Sequence, residues 1–267
     1  MSDDSLLVAR EEQWGVLTLN RPHVGNAADQ ALWRRIAQEA ARLAADPQVR
    51  VIIVTGTGER AFMAGADLNE FPTLLQSPQR ARDYVETVAA ALDTLEELEV
   101  PVIAQINGSA IGGGLELAIA CDYRVAVEGA RFGIPAADVG LAINYCDVER
   151  LVELVGSARA REVLLLGRVY TAQEALAIGL VNEVVPREQL APRVRELARE
   201  LAAKAPASLR SAKKVLRAVT HRHHLPREEA LRSVQEAWDS QELKERVQRL
   251  LGRLAGGARS DQEGRGR

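Results

Sequence analysis

VIAQINGSAIGGGLELAIACD, running from Val102 to Asp122, is the stretch whose reading decides the fold. Its first residues form an apolar run suited to a buried strand. The chain turns at Asn107 and Gly108, then meets Gly112, Gly113 and Gly114 just ahead of a segment with helical spacing. Strand, tight turn and helix N-terminus therefore follow one another within a few residues. Glycines let a ligand approach the backbone closely, and the first N–H groups of a helix have no partners within it. Such donors suit an oxygen that gains negative charge. Glu116 stands one turn in, where the helix dipole favours its ionised form. The functional reading is an oxyanion hole beside a general base; the structural alternative is a packed Gly-rich turn with a carboxylate that complements the dipole.

Outward from this stretch the chain alternates strands and helices. Leu6 to Arg10 and Trp14 to Asn20 predict a hairpin, and Ala28 to Ala45 carries apolar residues at helical spacing. Val51 to Val54 is a continuous β-branched run, as in a buried parallel strand. Ala61 to Phe71, AFMAGADLNEF, again sets a small-residue turn ahead of a helix. Asp67 and Glu70 have capping-box spacing, so Asp67 is read first as an N-cap. The backbone N–H of Ala66 supplies a second donor if this turn faces Gly113. Phe71 to Pro78 is read as a loop, either the rim for a substrate tail or plain surface, Gln79 to Glu99 as a long amphipathic helix, Tyr123 to Val127 as a strand and Ala130 to Phe132 as a further strand piece.

Beyond Leu151 helical periodicity dominates, in Ala158 to Leu166, Thr171 to Ile178, Arg187 to Lys204, Pro206 to His221 and Pro226 to Leu254, with one strand-like break at Leu180 to Val185. The expected organisation is an α/β core over residues 1–195 and a helical region over 196–254. A disordered Gly- and Arg-rich tail over 255–267 ends the chain.

Composition excludes several classes. Apolar residues make up 47% and charged residues 27%, ordinary for a globular protein. With 34 basic against 37 acidic residues, net charge is −3, and no basic stripe points to nucleic acid. No apolar run reaches the roughly 18 residues of a membrane helix, and the acidic start MSDDSLLVAR does not read as a signal peptide. The two cysteines, Cys121 and Cys146, offer neither a disulfide framework nor metal-ligand spacing. His221, His223 and His224 lie together in HRHH without carboxylate or Cys company, which reads as a helix end, and His23 stands apart. The expectation is a cytoplasmic protein with no metal, no nucleic acid and no membrane partner.

Ala64-Gly65-Ala66-Asp67-Leu68 and Gly112-Gly113-Gly114-Leu115-Glu116, some fifty residues apart, resemble the paired motifs of the crotonase superfamily, the enoyl-CoA hydratase/isomerase family. LTLNRP (Leu17 to Pro22), VIIVTGTGERAF (Val51 to Phe62), Ala120-Cys121-Asp122 and LLLGRVYTAQEALAIGLVNEVVP (Leu164 to Pro186) extend the resemblance. It implies a spiral of ββα units with a C-terminal helical region that builds trimers, often paired into hexamers. It implies an acyl-CoA thioester as substrate, with coenzyme A carried as part of it and no other cofactor. The oxyanion donors carried over are the N–H groups of Ala66 and Gly113, and Glu116 is the matching acid/base. Ala64, Gly65, Asp67, Leu68, Gly112, Gly114, Pro135, Ala136 and Asn144 fall on substrate-binding positions.

Departures from the family pattern bear on the reaction. Where a second glutamate follows the proline of an FGxPE segment, Phe132 to Ala136 reads FGIPA, so Ala136 replaces that acid. Eight residues on, where hydrolase and dienoyl-isomerase members carry an aspartate, stands Asn144. The usual Gly-rich loop is replaced by Leu141 to Asp147, LAINYCD. Asp138, Tyr145 and Asp147 are the candidates to compensate. Asp138 lies on the face of Ala136 if the segment is extended. The alternative reading places Asp138 and Asp147 in solvent and gives Tyr145 and Cys146 to the pocket lining. Val24 stands where relatives have a lysine near the CoA phosphates, and Arg21 is a candidate substitute. The default reaction is hydration of a 2-enoyl-CoA. The alternatives are decarboxylation, thioester hydrolysis or double-bond migration with an altered acid/base set, or a catalytically weak scaffold.

Overall fold

In the computed structural model, residues 4–74 and 76–220 are described. The expected helix Pro226 to Leu254, the HRHH stretch and the tail 255–267 lie outside them. The chain divides into two compact units, Met1–Ala203 and Lys204–Arg267.

The first unit opens with β1 (Leu6–Glu11) and β2 (Trp14–Leu19), an antiparallel hairpin in which Leu6 faces Leu19. Asp29 caps α1 (Gln30–Ala44), accepting a 2.8 Å hydrogen bond from Leu32 N, and the helix buries Leu32, Trp33, Ile36, Ala40 and Leu43. That spacing is the apolar stripe of a helix laid on a sheet. β3 (Val51–Gly56) is buried along its whole length and pairs in parallel with β2 on one side and β5 (Val102–Ile106) on the other. Burial on both faces explains why VIIV shows no alternation. β7 (Tyr123–Val127) and β10 (Glu183–Val185) complete a six-stranded sheet in the order β1-β2-β3-β5-β7-β10.

A second sheet was not legible in the sequence. After each of the three central strands the chain turns through glycine, at Gly58, Gly108 and Gly129, into a strand of only three residues. These are β4 (Ala61–Met63), β6 (Ser109–Ile111) and β8 (Arg131–Gly133). They pair in parallel, and β9 (Tyr170–Thr171) closes the sheet antiparallel to β8. The expected spiral is thus a threefold repetition of long strand, glycine turn, short strand and helical segment. At Gly108 the turn is tight enough that a methyl group would lie 2.5 Å from Ala61 N.

The helices differ from expectation in detail. Phe71 to Pro78 is not simply a loop, because Phe71–Leu74 forms one helical turn, α2. α3 (Pro78–Glu97) is capped by Ser77. α4 (Gly113–Ile119) follows β6 directly. α5 (Tyr145–Leu165) begins inside the stretch read as a loop and is interrupted at Gly156, whose φ is 73°. α6 (Ala172–Ala177) starts with a full capping box between Thr171 and Glu174. α7 (Arg187–Ala202) packs on β5 and β7, and Arg187 Nη1 donates 2.9 Å to Asn107 O at the turn after β5. In the second unit, α8 (Pro206–Thr220) is an amphipathic helix.

Candidate active site

The short sheet brings the site together. The segments leaving the ends of β4, β6 and β8 are Ala64 to Ala66, Gly112 to Gly113, and Ile134 to Ala136, and all of them line one cavity of about 380 Å³. Glycine makes the first two compatible. Gly65 has φ 101°, and a methyl group there would sit 2.9 Å from Ile111 O and 3.2 Å from Gly113 N. Gly112 adopts φ 55°. At Gly114 a methyl group would lie 2.0 Å from Met63 O, so the helix can reach β4 only without a side chain.

Two amides are left free to point into this space. Ala28 N donates to Gly65 O at 2.8 Å, and Asp67 N donates to Ala28 O at 2.9 Å, forming a parallel bridge centred on Ala66. The residue at the centre of such a bridge directs its own N–H to the opposite side. Gly113 is the first residue of α4, whose leading N–H groups have no partner within the helix. Among the described residues neither the Ala66 nor the Gly113 N–H forms a hydrogen bond, whereas Gly112 N is engaged by Gly133 O at 2.8 Å.

Glu116 lies on the cavity wall, and a methyl group built on Gly113 would come 3.7 Å from its Oε2. Its carboxyl is pushed up to about 8, first by burial and then by the negative charge of Asp147, with Arg150 opposing. This corrects the expectation that the helix N-terminus keeps Glu116 ionised: a helix of seven residues does not offset desolvation beside a second carboxylate. Glu116 enters neutral conditions largely protonated, as an acid.

The three compensating candidates separate. Ala136 begins a 3-10 turn (Ala136–Val139), not an extended segment, and Asp138 is exposed, sets its carboxylate beside Gly167 and does not line the cavity. Tyr145 is 74% exposed and, like Cys146, does not line the cavity, which corrects the reading of both as pocket lining. Asp147 is the reverse of a solvated loop acid. It is 2% exposed, lies in the first turn of α5 and lines the cavity. Arg150 Nη1 donates to Asp147 Oδ1 at 2.7 Å, while Arg150 Nε and Nη2 bind Glu96 at 3.0 and 2.6 Å and Nη2 also binds Asp93. Burial raises the Asp147 carboxyl despite Arg150, and Asp93 and Glu96 add to the rise.

Asp67 stands behind the wall rather than on it. Burial works against its charge, but the Asn69 N–H at 3.1 Å and Arg21 Nη2 at 2.8 Å outweigh it and hold the carboxyl below its usual value. The capping box does not close, since Glu70 Oε2 accepts from Gln30 N at 2.8 Å instead. Arg21 also donates to Ala27 O at 2.7 Å and pairs with Asp29, so it braces the Ala66 turn and is not free for the CoA phosphates.

Leu68, Pro135, Ala136 and Asn144 line the cavity as expected. Of its apolar wall the sequence suggests only the Phe71 to Pro78 rim, from which Phe71 and Leu74 line the cavity, and the rest was missed. Ala81, Tyr84, Val85, Val88 and Ala89 of α3 line it, joined by Trp33 and Phe71. That helical stripe was visible in the sequence but was indistinguishable from a core face, which α3 also has farther along at Ala91, Leu92 and Leu95. Burial pushes the Tyr84 hydroxyl up to about 12, and the charges of Glu70 and Glu116 add to the rise. Among the described residues no group of three His, Cys, Asp or Glu side chains is placed to hold a metal ion, and no helix is long and apolar enough to cross a membrane.

Paired amide donors and an acid beside them define a protein of the crotonase type. Residues 10–254 match the enoyl-CoA hydratase/isomerase family, and the chain belongs to that family. Crotonyl-CoA hydratase of Syntrophomonas wolfei is 36% identical over 213 residues, covering 80% of this chain and 81% of the relative. 2,3-Dehydroadipyl-CoA hydratase of Escherichia coli is 37% identical over 212 residues, covering 79% and 81%. An enoyl-CoA hydratase/carnithine racemase from Magnetospirillum magneticum superposes with a TM-score of 0.89 at 33% identity, covering 94% of each chain.

Proposed function

We propose that this chain hydrates a 2-enoyl-CoA thioester, with the N–H groups of Ala66 and Gly113 as the oxyanion hole and Glu116 as an acid/base group. The supporting observation is the bridge at Ala66. It turns one amide toward the cavity while Gly65 keeps it beside the unpartnered amide of Gly113. Donors preorganised for the enolate oxygen contribute about 2.7–4 kcal/mol each to catalysis. Coenzyme A arrives with the substrate, and no other cofactor enters the reading. The hydratase names of the two relatives above agree with it, as does the apolar wall that would take an acyl chain. Assembly into a trimer or a hexamer belongs to the same proposal, as does a cytoplasmic location. On α8, Leu216 is 63% and Val219 72% exposed, which suits a helix that associates.

The test is loss of the conjugated-thioester absorbance of crotonyl-CoA and longer 2-enoyl-CoA substrates, with mass analysis of the product. A 3-hydroxyacyl-CoA, formed at a rate that falls sharply in Glu116→Gln, is expected. Absence of that product from every 2-enoyl-CoA overturns the hydratase reading. Ala136, which removes the family's second acid, is the observation that favours the alternative of decarboxylation, hydrolysis or double-bond migration.

A further inference from the structure

Hydration needs two proton movements: one away from water as its oxygen attacks the β-carbon, one onto the α-carbon. At the position of the second acid this chain has the methyl group of Ala136, which lines the cavity. Another carboxylate lines the same space. Asp147 is 2% exposed in the first turn of α5, and among the described residues only its Oδ1 is bonded, to Arg150 at 2.7 Å. Arg150 is itself tied to Glu96 and Asp93 of α3, so it is shared among three carboxylates and does not neutralise Asp147 alone. A buried aspartate anchored through one oxygen, with the cavity before it, is placed for chemistry rather than for capping.

We infer that Asp147 supplies the proton-transfer group that Ala136 omits, working opposite Glu116 in the same cavity. The inference rests on the 2-enoyl-CoA reading. The groups facing Glu116 are Asp147 and Arg150 of α5 and Tyr84 of α3, and those facing Asp147 are Arg150, Asp93 and Glu96. Two neighbouring carboxyls in different surroundings divide acid and base roles between them. Glu116, with no cation bonded to it among the described residues, keeps the proton; Asp147, paired with Arg150, is the ionised partner.

Asp147 takes a proton from water as the water oxygen bonds to the β-carbon. The π pair of the C=C bond moves toward the thioester, whose oxygen is held by the Ala66 and Gly113 N–H groups. Collapse of that enolate forms the new bond between the α-carbon and the proton of Glu116. One water has then been added, Asp147 is protonated and Glu116 ionised. Transfer of that proton back to Glu116 restores the starting state.

The experiment uses the full chain and a 2-enoyl-CoA that the wild type hydrates. Asp147→Asn is expected to lower kcat by about 10²–10⁴, the range for a lost general acid or base, with KM changed by less than about threefold. It should also abolish the acid limb of the pH–rate profile. Adding Ala136→Glu to Asp147→Asn should recover at least about tenfold of the loss, which a purely structural role for Asp147 does not predict. If Asp147→Asn does not fold, the double variant Asp147→Ala, Arg150→Met removes both members of the buried pair, so that only the partly exposed Asp93 and Glu96 lose a cation. It is read with and without Ala136→Glu, and the same rescue is expected. Hydration by Asp147→Asn within about threefold of wild type, or folded variants that Ala136→Glu does not rescue, overturns the inference and leaves the hydratase reading standing. A wild type that yields no 3-hydroxyacyl-CoA overturns both.

Discussion

Replacing Glu116 by Gln tests the electrostatics of the cavity without assuming any reaction. The carboxyl goes from an ordinary 4.5 in the unfolded chain up to about 8 in the folded one. A carboxyl raised by folding contributes its full stability below the unfolded value, where both states are protonated. That contribution is lost as pH rises through the folded value, because the native state resists giving up the proton. At about 1.4 kcal/mol per tenfold change in proton affinity, about 4 kcal/mol is lost between about pH 5 and about pH 9. Water entering from the cavity screens part of this, which brings the observable change to about 2–4 kcal/mol. Gln cannot ionise. The stability of Glu116→Gln relative to wild type should therefore rise by that amount from about pH 5 to about pH 9, while titrations not coupled to Glu116 cancel in the difference. Urea unfolding followed by fluorescence of the buried Trp14 and Trp33 reads it directly. A difference that stays flat with pH refutes the reasoning. A difference that falls with rising pH shows that the helix N-terminus, not burial, governs this carboxylate.

Gly114→Ala should cost at least about 3 kcal/mol or prevent folding, since its methyl group would lie 2.0 Å from Met63 O, whereas Gly129→Ala, with open space around it, should stay within about 0.5 kcal/mol; denaturant midpoints compare them. Arg150→Met strands a buried Asp147 and should cost about 3–5 kcal/mol, visible as a fall in Tm of about 6–20 °C. Gly65→Ala forces a methyl group toward Gly113 N from a backbone at φ 101°. It should lower kcat by about 10²–10³ with the fold retained, and unchanged turnover would separate the amide pair from catalysis. Arg21→Met releases Asp67 from its bridge, so the Asp67 carboxyl should rise toward its ordinary value, which NMR titration of labelled aspartates follows.

What could be read from residues alone divides by the range of the interaction. β3 was legible because a strand buried on both faces needs no pattern beyond a β-branched run. α1 was legible because its stripe of buried residues is apolar. β4 and β6 escaped because three residues are too few to show a period, and β8 shows only as a short strand-like piece at Ala130 to Phe132. Only the glycines at 58, 108 and 129 hint that each long strand is followed by a second. The start of α5 escaped for a different reason. Its buried face there is Asp147, Arg150 and Leu151, helical in spacing but charged, so a search for apolar recurrence passes over it.

The site divides in the same way. The amide donors are written locally, since Gly65, Gly112 and Gly114 are each required by a positive φ or a contact that no side chain survives. The protonation of Glu116 is not written locally. Its own segment supplies a helix N-terminus, which argues for charge, and what opposes that charge is burial together with a carboxylate carried in by α5. Asp147 in turn is tolerable inside the protein because Arg150 pairs with it, while Asp93 and Glu96 on α3, which share that guanidinium, work against its charge. Three elements distant in sequence therefore set the charge state of one side chain. The loss of an acid at Ala136 accordingly says little by itself about the chemistry, because a second carboxylate, that of Asp147, lines the same cavity from a helix whose charged inner face conceals it from a motif search.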